Sequence, residues 1–178
     1  MEPLALSLIN EPTLRSEVTP QTLAKWWMRT TPAEARFGAS SAAKPRFNSS
    51  LVASVIQLRE AIREAFEEAS IGRALPSGAL EALNKVLRRT APQLVLSGSL
   101  LRLQYVGDQA SDAVLGPLAH SALELLLECP NRIRRCAAAR CDALFLDPTK
   151  NRSRRWCSTK CLERARAPRR KAGRNGSK

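Results

Sequence analysis

Four cysteines, arranged as two close pairs near the C-terminus, constrain this sequence more than any other feature. Cys136 and Cys141 form a C-x4-C pair, Cys157 and Cys161 form a C-x3-C pair, and fifteen residues separate the two pairs. This arrangement is typical of a structural zinc site, because each pair supplies two ligands from one tight turn. The sequence therefore predicts one zinc ion, held in a closed tetrahedron by these four thiolates.

Other interpretations of the cysteines are weaker. Disulfides form in oxidising compartments, and we expect no export signal at this N-terminus. The fifth cysteine, Cys129, is expected to be a small buried residue at a helix end, although it could also substitute into the site. The single histidine, His120, is interpreted as a partly buried helix residue. Four thiolates leave no open position for water on the metal, so the site is predicted to be structural rather than catalytic.

The net positive charge of the sequence is confined to its C-terminal quarter. The 178 residues contain 29 basic and 16 acidic side chains, for a net charge of +13. Residues 1–130 hold 13 of each sign, whereas residues 131–178 hold 16 basic and 3 acidic ones. A segregated basic block indicates an anionic partner, most often nucleic acid. The alternative is a solvated basic tail without a specific partner.

The candidate nucleic-acid contacts fall into two groups around the second cysteine pair. One group leads up to Cys157, and the other lies on and beyond the helix that we expect after it. The ten residues are Lys150, Arg152, Arg154, Arg155, Lys160, Arg164, Arg166, Arg169, Arg170 and Lys171. Few aromatic side chains accompany them, so duplex DNA is favoured over single-stranded nucleic acid. Pro168 is expected to end or kink the helix near Ala167.

The apolar pattern predicts an α+β fold that is predominantly α. A helical N-terminal domain with one β-hairpin would precede a small, treble-clef-like four-cysteine zinc finger. The clearest helix has apolar residues at helical spacing at positions Leu51, Val55, Leu58, Ile62 and Phe66. The hairpin is predicted from residues 94–96 and 101–105, and the apolar alternation of its second strand predicts one buried face.

The finger is predicted to contain a hairpin of its own, between the two cysteine pairs. Residues 143–146 are strand-like, residues 147–151 carry turn-forming side chains, and residues 154–156 would form the returning strand.

We divide the chain into three parts. The helical domain covers residues 1–130, the zinc finger covers residues 131–172, and a flexible basic tail covers residues 173–178. A finger of this size has too few large apolar side chains to be stable by burial alone, so the metal must contribute to its folding.

The residues around the cysteines resemble the CGNR-type zinc finger. The family's Cys-Gly-Asn-Arg signature reads Cys161-Leu162-Glu163-Arg164 here, so the cysteine and the arginine are kept. The N-terminal part is similar to the domain, often called ABATE, that precedes this finger. The matching segments are residues 136–141, 144–147 and 150–158 for the finger, and residues 4–10, 19–26 and 117–119 for the N-terminal domain.

This resemblance implies a bacterial, stress-induced transcriptional regulator in the cytoplasm, without enzymatic activity. The finger would bind double-stranded DNA, and the helical domain would sense a signal or mediate assembly. A second copy of the chain, in a homodimer, and a small-molecule effector are therefore candidate partners of the helical domain. An RNA- or ribosome-binding zinc protein is one rival, and an interaction module with a structural zinc clip is another. An enzyme has no candidate residues here, and no apolar run approaches the length of about 20 residues that a membrane span requires.

Overall fold

A computed structural model describes residues 2–14, 18–31, 45–97, 100–107 and 109–174 of the chain. Most of the predicted basic tail, from residue 175 onward, lies outside these residues, as do the side chains of Arg169, Arg170 and Lys171.

The described residues form six α-helices and two antiparallel β-hairpins, which confirms the predicted α+β, predominantly α fold. None of these helices combines the length and the apolar character that a bilayer span requires. The helices are α1 (Leu4–Asn10), α2 (Pro20–Thr30), α3 (Ser49–Ser70), α4 (Ser77–Leu87), α5 (Asp112–Glu128) and α6 (Thr159–Arg174). The strands are β1 (Ala91–Ser97), β2 (Leu100–Val106), β3 (Ile133–Arg135) and β4 (Leu144–Leu146).

Helix α3 is the centre of the core. Its 22 residues span about 33 Å. Asn48 caps its N-terminus, because the Asn48 side chain accepts a hydrogen bond of 2.9 Å from the Leu51 amide. The five apolar positions that predicted this helix are all buried. Helices α1, α4 and α5 and strand β3 pack against it, so one hydrophobic core joins most of the chain.

Helix α1 is short but is held on several sides. Leu6, Leu8 and Ile9 are fully buried. The Ser7 hydroxyl accepts a hydrogen bond of 3.3 Å from the Trp26 indole of α2, and the Ile9 carbonyl accepts one of 2.6 Å from Arg63 of α3. These contacts hold α1 against α2 and α3.

The apolar face of the first hairpin is exposed, so the predicted burial of that face is wrong. Leu101 and Leu103 of β2 are 64% and 49% exposed, whereas Gln104 is buried. Among the described helices, α5 packs on the hairpin at its base, near Tyr105. A Cβ at Gly116 of α5 would lie 3.0 Å from the Tyr105 Cβ, so the absent side chain allows this close approach. The alternation in β2 therefore marks the exposed face of the hairpin rather than the buried one.

The hairpin of the zinc finger has a different partner strand from the one that the sequence predicted. Strand β4 pairs with β3, with Ile133 opposite Leu146, and residues 154–156 form no strand. The first cysteine pair therefore lies in the connection between β3 and β4. Residues 147–154 are held by hydrogen bonds to the buried carboxylate of Asp147 rather than by the predicted returning strand.

Helix α6 continues past Pro168 to Arg174, so the predicted end near Ala167 is also wrong. Proline removes one intrahelical hydrogen bond, but its fixed φ is itself helical, and the backbone can continue beyond it. The helix is therefore 16 residues long, about 24 Å.

The finger hairpin packs directly on the helical domain. Ile133 and Leu144 are buried in the same core as the helices. The Asn10 amide at the end of α1 pairs with the backbone of Leu144: its Nδ2 donates to the Leu144 carbonyl at 2.7 Å, and its Oδ1 accepts from the Leu144 amide at 3.2 Å. The Asn10 side chain thus forms hydrogen bonds with the backbone of β4 of the kind that a neighbouring strand would form.

We predict that Asn10→Ala lowers the free energy of unfolding by about 1–3 kcal/mol, because two backbone groups of the buried Leu144 lose their partner. Chemical denaturation measures the loss, and hydrogen exchange should show reduced protection of the Leu144 amide. Asn84→Ala, at an exposed position of α4, is the matched control. Equal stability and equal Leu144 protection in the two variants would contradict the assigned role of Asn10.

Candidate metal centre

The first cysteine pair lies on a tight turn that β3 and β4 hold at both ends. The Cys136 amide donates to the Ala143 carbonyl at 2.9 Å, and the Cys141 amide donates to the Ala138 carbonyl at 3.1 Å. Arg140 adopts a left-handed backbone with φ of 60°, which turns the chain sharply before Cys141. Both thiols are thereby directed to the same side of the hairpin end.

The second cysteine pair lies at the start of α6. Cys157 precedes the helix, and Cys161 is in its first turn, so the two thiols are one helical turn apart. Ser158 organises this start: its hydroxyl accepts a hydrogen bond of 3.3 Å from the Cys161 amide, and its carbonyl accepts one of 3.1 Å from Leu162. The helix N-terminus therefore presents both thiols to the first pair.

The fold brings the four predicted sulfurs together. All four Sγ atoms lie within 4.8 Å of one another. The Cys141–Cys157 and Cys157–Cys161 sulfur distances are 3.8 and 3.5 Å. A regular tetrahedron with Zn–S bonds of about 2.3 Å places its sulfurs about 3.8 Å apart. The donor set and its spacing therefore fit a tetrathiolate zinc ion.

The thiols differ in how readily they lose their protons. Burial, together with hydrogen bonds to neighbouring thiols, raises the pKa of Cys157 to about 12. Hydrogen bonds from Ser158, from Cys157 and from the Arg164 guanidinium lower the pKa of Cys161 to about 6, even though it is buried. The protein alone thus favours ionisation of Cys161, whereas a divalent cation is needed to displace the proton of Cys157.

Arg164 contacts the sulfur cluster itself. Its Nη2 donates to Cys161 Sγ at 2.9 Å, because residues three apart share one face of α6. Four thiolates and one Zn²⁺ carry a formal charge of 2−, which a guanidinium partly neutralises. From the sequence, Arg164 was expected only as a nucleic-acid contact. The signal for this second role was the Cys-x-x-Arg spacing that the chain keeps from the family signature.

Arg154 is also engaged within the finger. Its Nε donates to the Trp156 carbonyl at 2.9 Å, and its Nη2 donates to the Cys157 carbonyl at 2.5 Å. The guanidinium lies 5.1 Å from the centre of the Phe145 ring. These contacts hold the segment that leads into Cys157 against strand β4.

Asp147 is a structural residue that the sequence pattern placed only in a turn. Its side chain is fully buried. Oδ1 accepts from the amide and the hydroxyl of Thr149, at 2.9 and 2.6 Å, and Oδ2 accepts from the Arg154 amide at 2.9 Å. Burial raises the pKa of Asp147, but these bonds and the charge of Arg134 outweigh burial and hold the pKa below its usual value. The ionised carboxylate therefore organises residues 147–154.

The candidate nucleic-acid residues differ in exposure. Arg154 is half-buried, whereas the other described candidates are exposed on the finger, and Arg155 stacks 5.4 Å from the centre of the Trp156 ring. Two further exposed arginines, Arg135 and Arg140, were not among the candidates. Each directly precedes one cysteine of the first pair, and the same charge count that selected the C-terminal block could have included them.

The two remaining residues singled out by the sequence lie outside the sulfur cluster. Cys129 lies at the C-terminal end of α5, where a helix end was expected, and is half-buried. His120 is half-buried in α5, with its Nε2 3.2 Å from the Thr90 carbonyl and its ring packed on Tyr105.

Two family models match the chain, and together they cover nearly all of it. Residues 2–128 match ABATE, described as "Putative stress-induced transcription regulator", and residues 132–174 match the CGNR zinc finger. No curated protein matches the chain. The clustered cysteines within a zinc-finger match show that the chain carries one structural zinc ion.

We predict that removing zinc with a strong chelator unfolds the cysteine-bearing part of the finger and leaves the helical core intact, because the metal supplies about 10 kcal/mol or more of folding free energy. Hydrogen exchange should show lost protection around Cys136 and in α6, and retained protection in α3 and around Leu144. Readdition of zinc is the control and should restore the exchange pattern. Unchanged protection around the cysteines after complete metal removal would contradict the prediction.

We predict that Asp147→Ala destabilises the finger by about 3 kcal/mol, because three buried donors lose a charged acceptor. Because the pKa of Asp147 is lowered in the native state, its carboxylate fully stabilises the finger at pH values above the ordinary pKa of aspartate. This stabilisation is lost as the pH falls through the native pKa. Zinc affinity measured by chelator competition should fall in this variant. Glu163→Ala, at an exposed carboxylate of α6, is the control. An unchanged zinc affinity in Asp147→Ala would rule out the proposed contribution of Asp147.

Proposed function

We propose a function for this chain from one premise: it belongs to the ABATE family, and its C-terminal module is a CGNR zinc finger. The first family is of the regulator type, and the second is of the zinc-finger type. We propose that the protein is a bacterial, stress-responsive transcriptional regulator of the cytoplasm that binds double-stranded DNA through this finger. The reducing cytoplasm suits this assignment, because it keeps zinc-binding thiols from forming disulfides.

The observation that carries the proposal is the excess of positive charge on the metal-organised module. The whole net charge of +13 belongs to residues 131–178, whereas the helical domain is neutral. The described basic side chains of the finger are mostly exposed. A polyanion bound there would release counterions, which is the dominant source of affinity in most protein–DNA complexes.

The finger residues divide into three roles in this proposal. Cys136, Cys141, Cys157 and Cys161 are the zinc ligands. Arg154 and Arg164 are positioning residues, because their guanidinium groups contact the carbonyl and the sulfur of the cysteines. Ten of the other cations are assigned to DNA phosphates and base edges: Arg135, Arg140, Lys150, Arg152, Arg155, Lys160, Arg166, Arg169, Arg170 and Lys171.

A basic cavity beside the finger hairpin supports an anionic partner. It has a volume of about 450 Å³ and lies between the end of α3 and strand β3. Three arginines line it: Arg134, Arg135 and Arg152. Arg134 is partly paired, with its Nη1 4.0 Å from Asp147, whereas the other two side chains are exposed. We propose that a backbone phosphate of the DNA is bound at this cavity.

Helix α6 supplies the remaining surface. At about 24 Å it is long enough to lie in a major groove. Lys160 and Arg166 are exposed on this helix, whereas Arg164, one turn from Lys160, bonds to the sulfur of Cys161 instead. Arginine is well suited to both phosphate and guanine, because its guanidinium donates two parallel hydrogen bonds.

Structured RNA is the second candidate partner, since it presents the same phosphate charge. Competition between duplex DNA and a structured RNA of equal length, at fixed salt, separates the two. A protein–protein module with an incidental basic surface would bind neither.

We predict that Arg135→Ala combined with Arg152→Ala lowers duplex affinity at least tenfold and makes the salt slope shallower, by roughly 0.9 for each phosphate that is no longer neutralised. Fluorescence anisotropy of a labelled duplex at several salt concentrations measures both effects. Arg46→Ala combined with Arg88→Ala removes two exposed arginines from the helical domain and is the matched control. Equal affinities and equal slopes for the two double variants would contradict the assignment of DNA contacts to the finger.

A further inference from the structure

A cavity in the helical domain shares no lining residue with the sulfur cluster and differs in chemical character from the basic surface. Its volume is about 400 Å³, which is within the range of small-molecule sites. The N-terminal end of α1, the end of α2, strand β2 and helix α5 surround it. Its walls are largely apolar, with Leu4, Leu103 and Pro117 among the lining residues.

The polar groups of this cavity carry one sign of charge. Glu2 and Glu124 line it, and none of the described residues that line it is basic. Both carboxylates are exposed to the solvent of the cavity mouth. Glu2 accepts a 3.5 Å hydrogen bond from Asn10, so its negative charge is not neutralised by that contact.

Tyr105 adds an aromatic ring to the lining of the cavity. Tyr105 is half-buried at the base of the first hairpin, and its ring packs 4.9 Å from the His120 ring. Burial and the negative charge of Glu124 both raise the pKa of Tyr105, and both residues line the cavity. A neutral ring beside a carboxylate is a favourable surface for a cation with apolar substituents.

We propose that this cavity binds an apolar organic cation, such as a quaternary ammonium compound, with its charged group between Glu124 and the Tyr105 ring. The apolar walls bury the substituents, and the two carboxylates select positive charge. Anionic ligands are disfavoured, because none of the lining residues that the structure describes would compensate their charge. This inference does not depend on DNA binding by the finger, and the titration that tests it contains no DNA.

Benzyltrimethylammonium is a suitable probe, and neopentylbenzene is its uncharged analogue of the same shape. Chemical shifts of the full-length zinc-loaded protein are recorded during titration with each compound. We expect the cation to shift resonances of residues that line the cavity and to bind at least about fivefold more tightly than the neutral compound. Absence of binding, equal binding of the two compounds, or shifts confined to other surfaces would overturn the proposal.

Variants locate the charge selectivity. Glu124→Gln keeps the shape of the side chain and should weaken cation binding about threefold or more, with the neutral compound unaffected. Glu2→Gln should act in the same direction. Glu128→Gln, one helical turn further along α5 and outside the cavity lining, is the matched control and should bind normally. Unchanged cation affinity in the combined Glu2→Gln and Glu124→Gln variant would overturn the assignment of the carboxylates.

Discussion

The close approach of four thiols is the constraint on which the C-terminal part of this protein depends. Their sulfurs lie within 4.8 Å of one another, and as thiolates they would repel without a cation between them. The fold prepares for that cation with two tight turns and with donors from Ser158 and Arg164, which lower the pKa of Cys161 to about 6. One zinc ion thereby converts a short, arginine-rich segment into a defined surface.

The rest of the finger is held by groups other than the metal. The buried carboxylate of Asp147 organises the segment between the cysteine pairs, and Arg154 fixes the entry to Cys157. Helix α1 joins the two parts of the molecule. Its first residues line the apolar cavity of the helical domain, while Asn10 at its other end pairs with the backbone of β4. The sensing and binding roles proposed for the two parts therefore share one short helix.

Local patterns in the sequence predicted the fold class and the sulfur cluster, because helical periodicity and cysteine spacing each depend on neighbouring residues. The predictions that were wrong depended on tertiary context. Alternation in β2 could not show which face of the hairpin is buried. The partner of β4 could not be predicted because β3 lies before the first cysteine pair, and the buried Asp147 replaces the returning strand. The sequence likewise could not show that Arg154 and Arg164 bond to atoms within the finger, because these contacts depend on the tertiary structure.

X-ray absorption spectroscopy at the zinc edge of the full-length protein tests the central claim most directly, because it reports the atoms bound to the metal. The account predicts one zinc ion per chain with four sulfur neighbours at about 2.3 Å and no nitrogen or oxygen ligand. A first coordination shell containing nitrogen or oxygen, or fewer than four sulfurs, would contradict it.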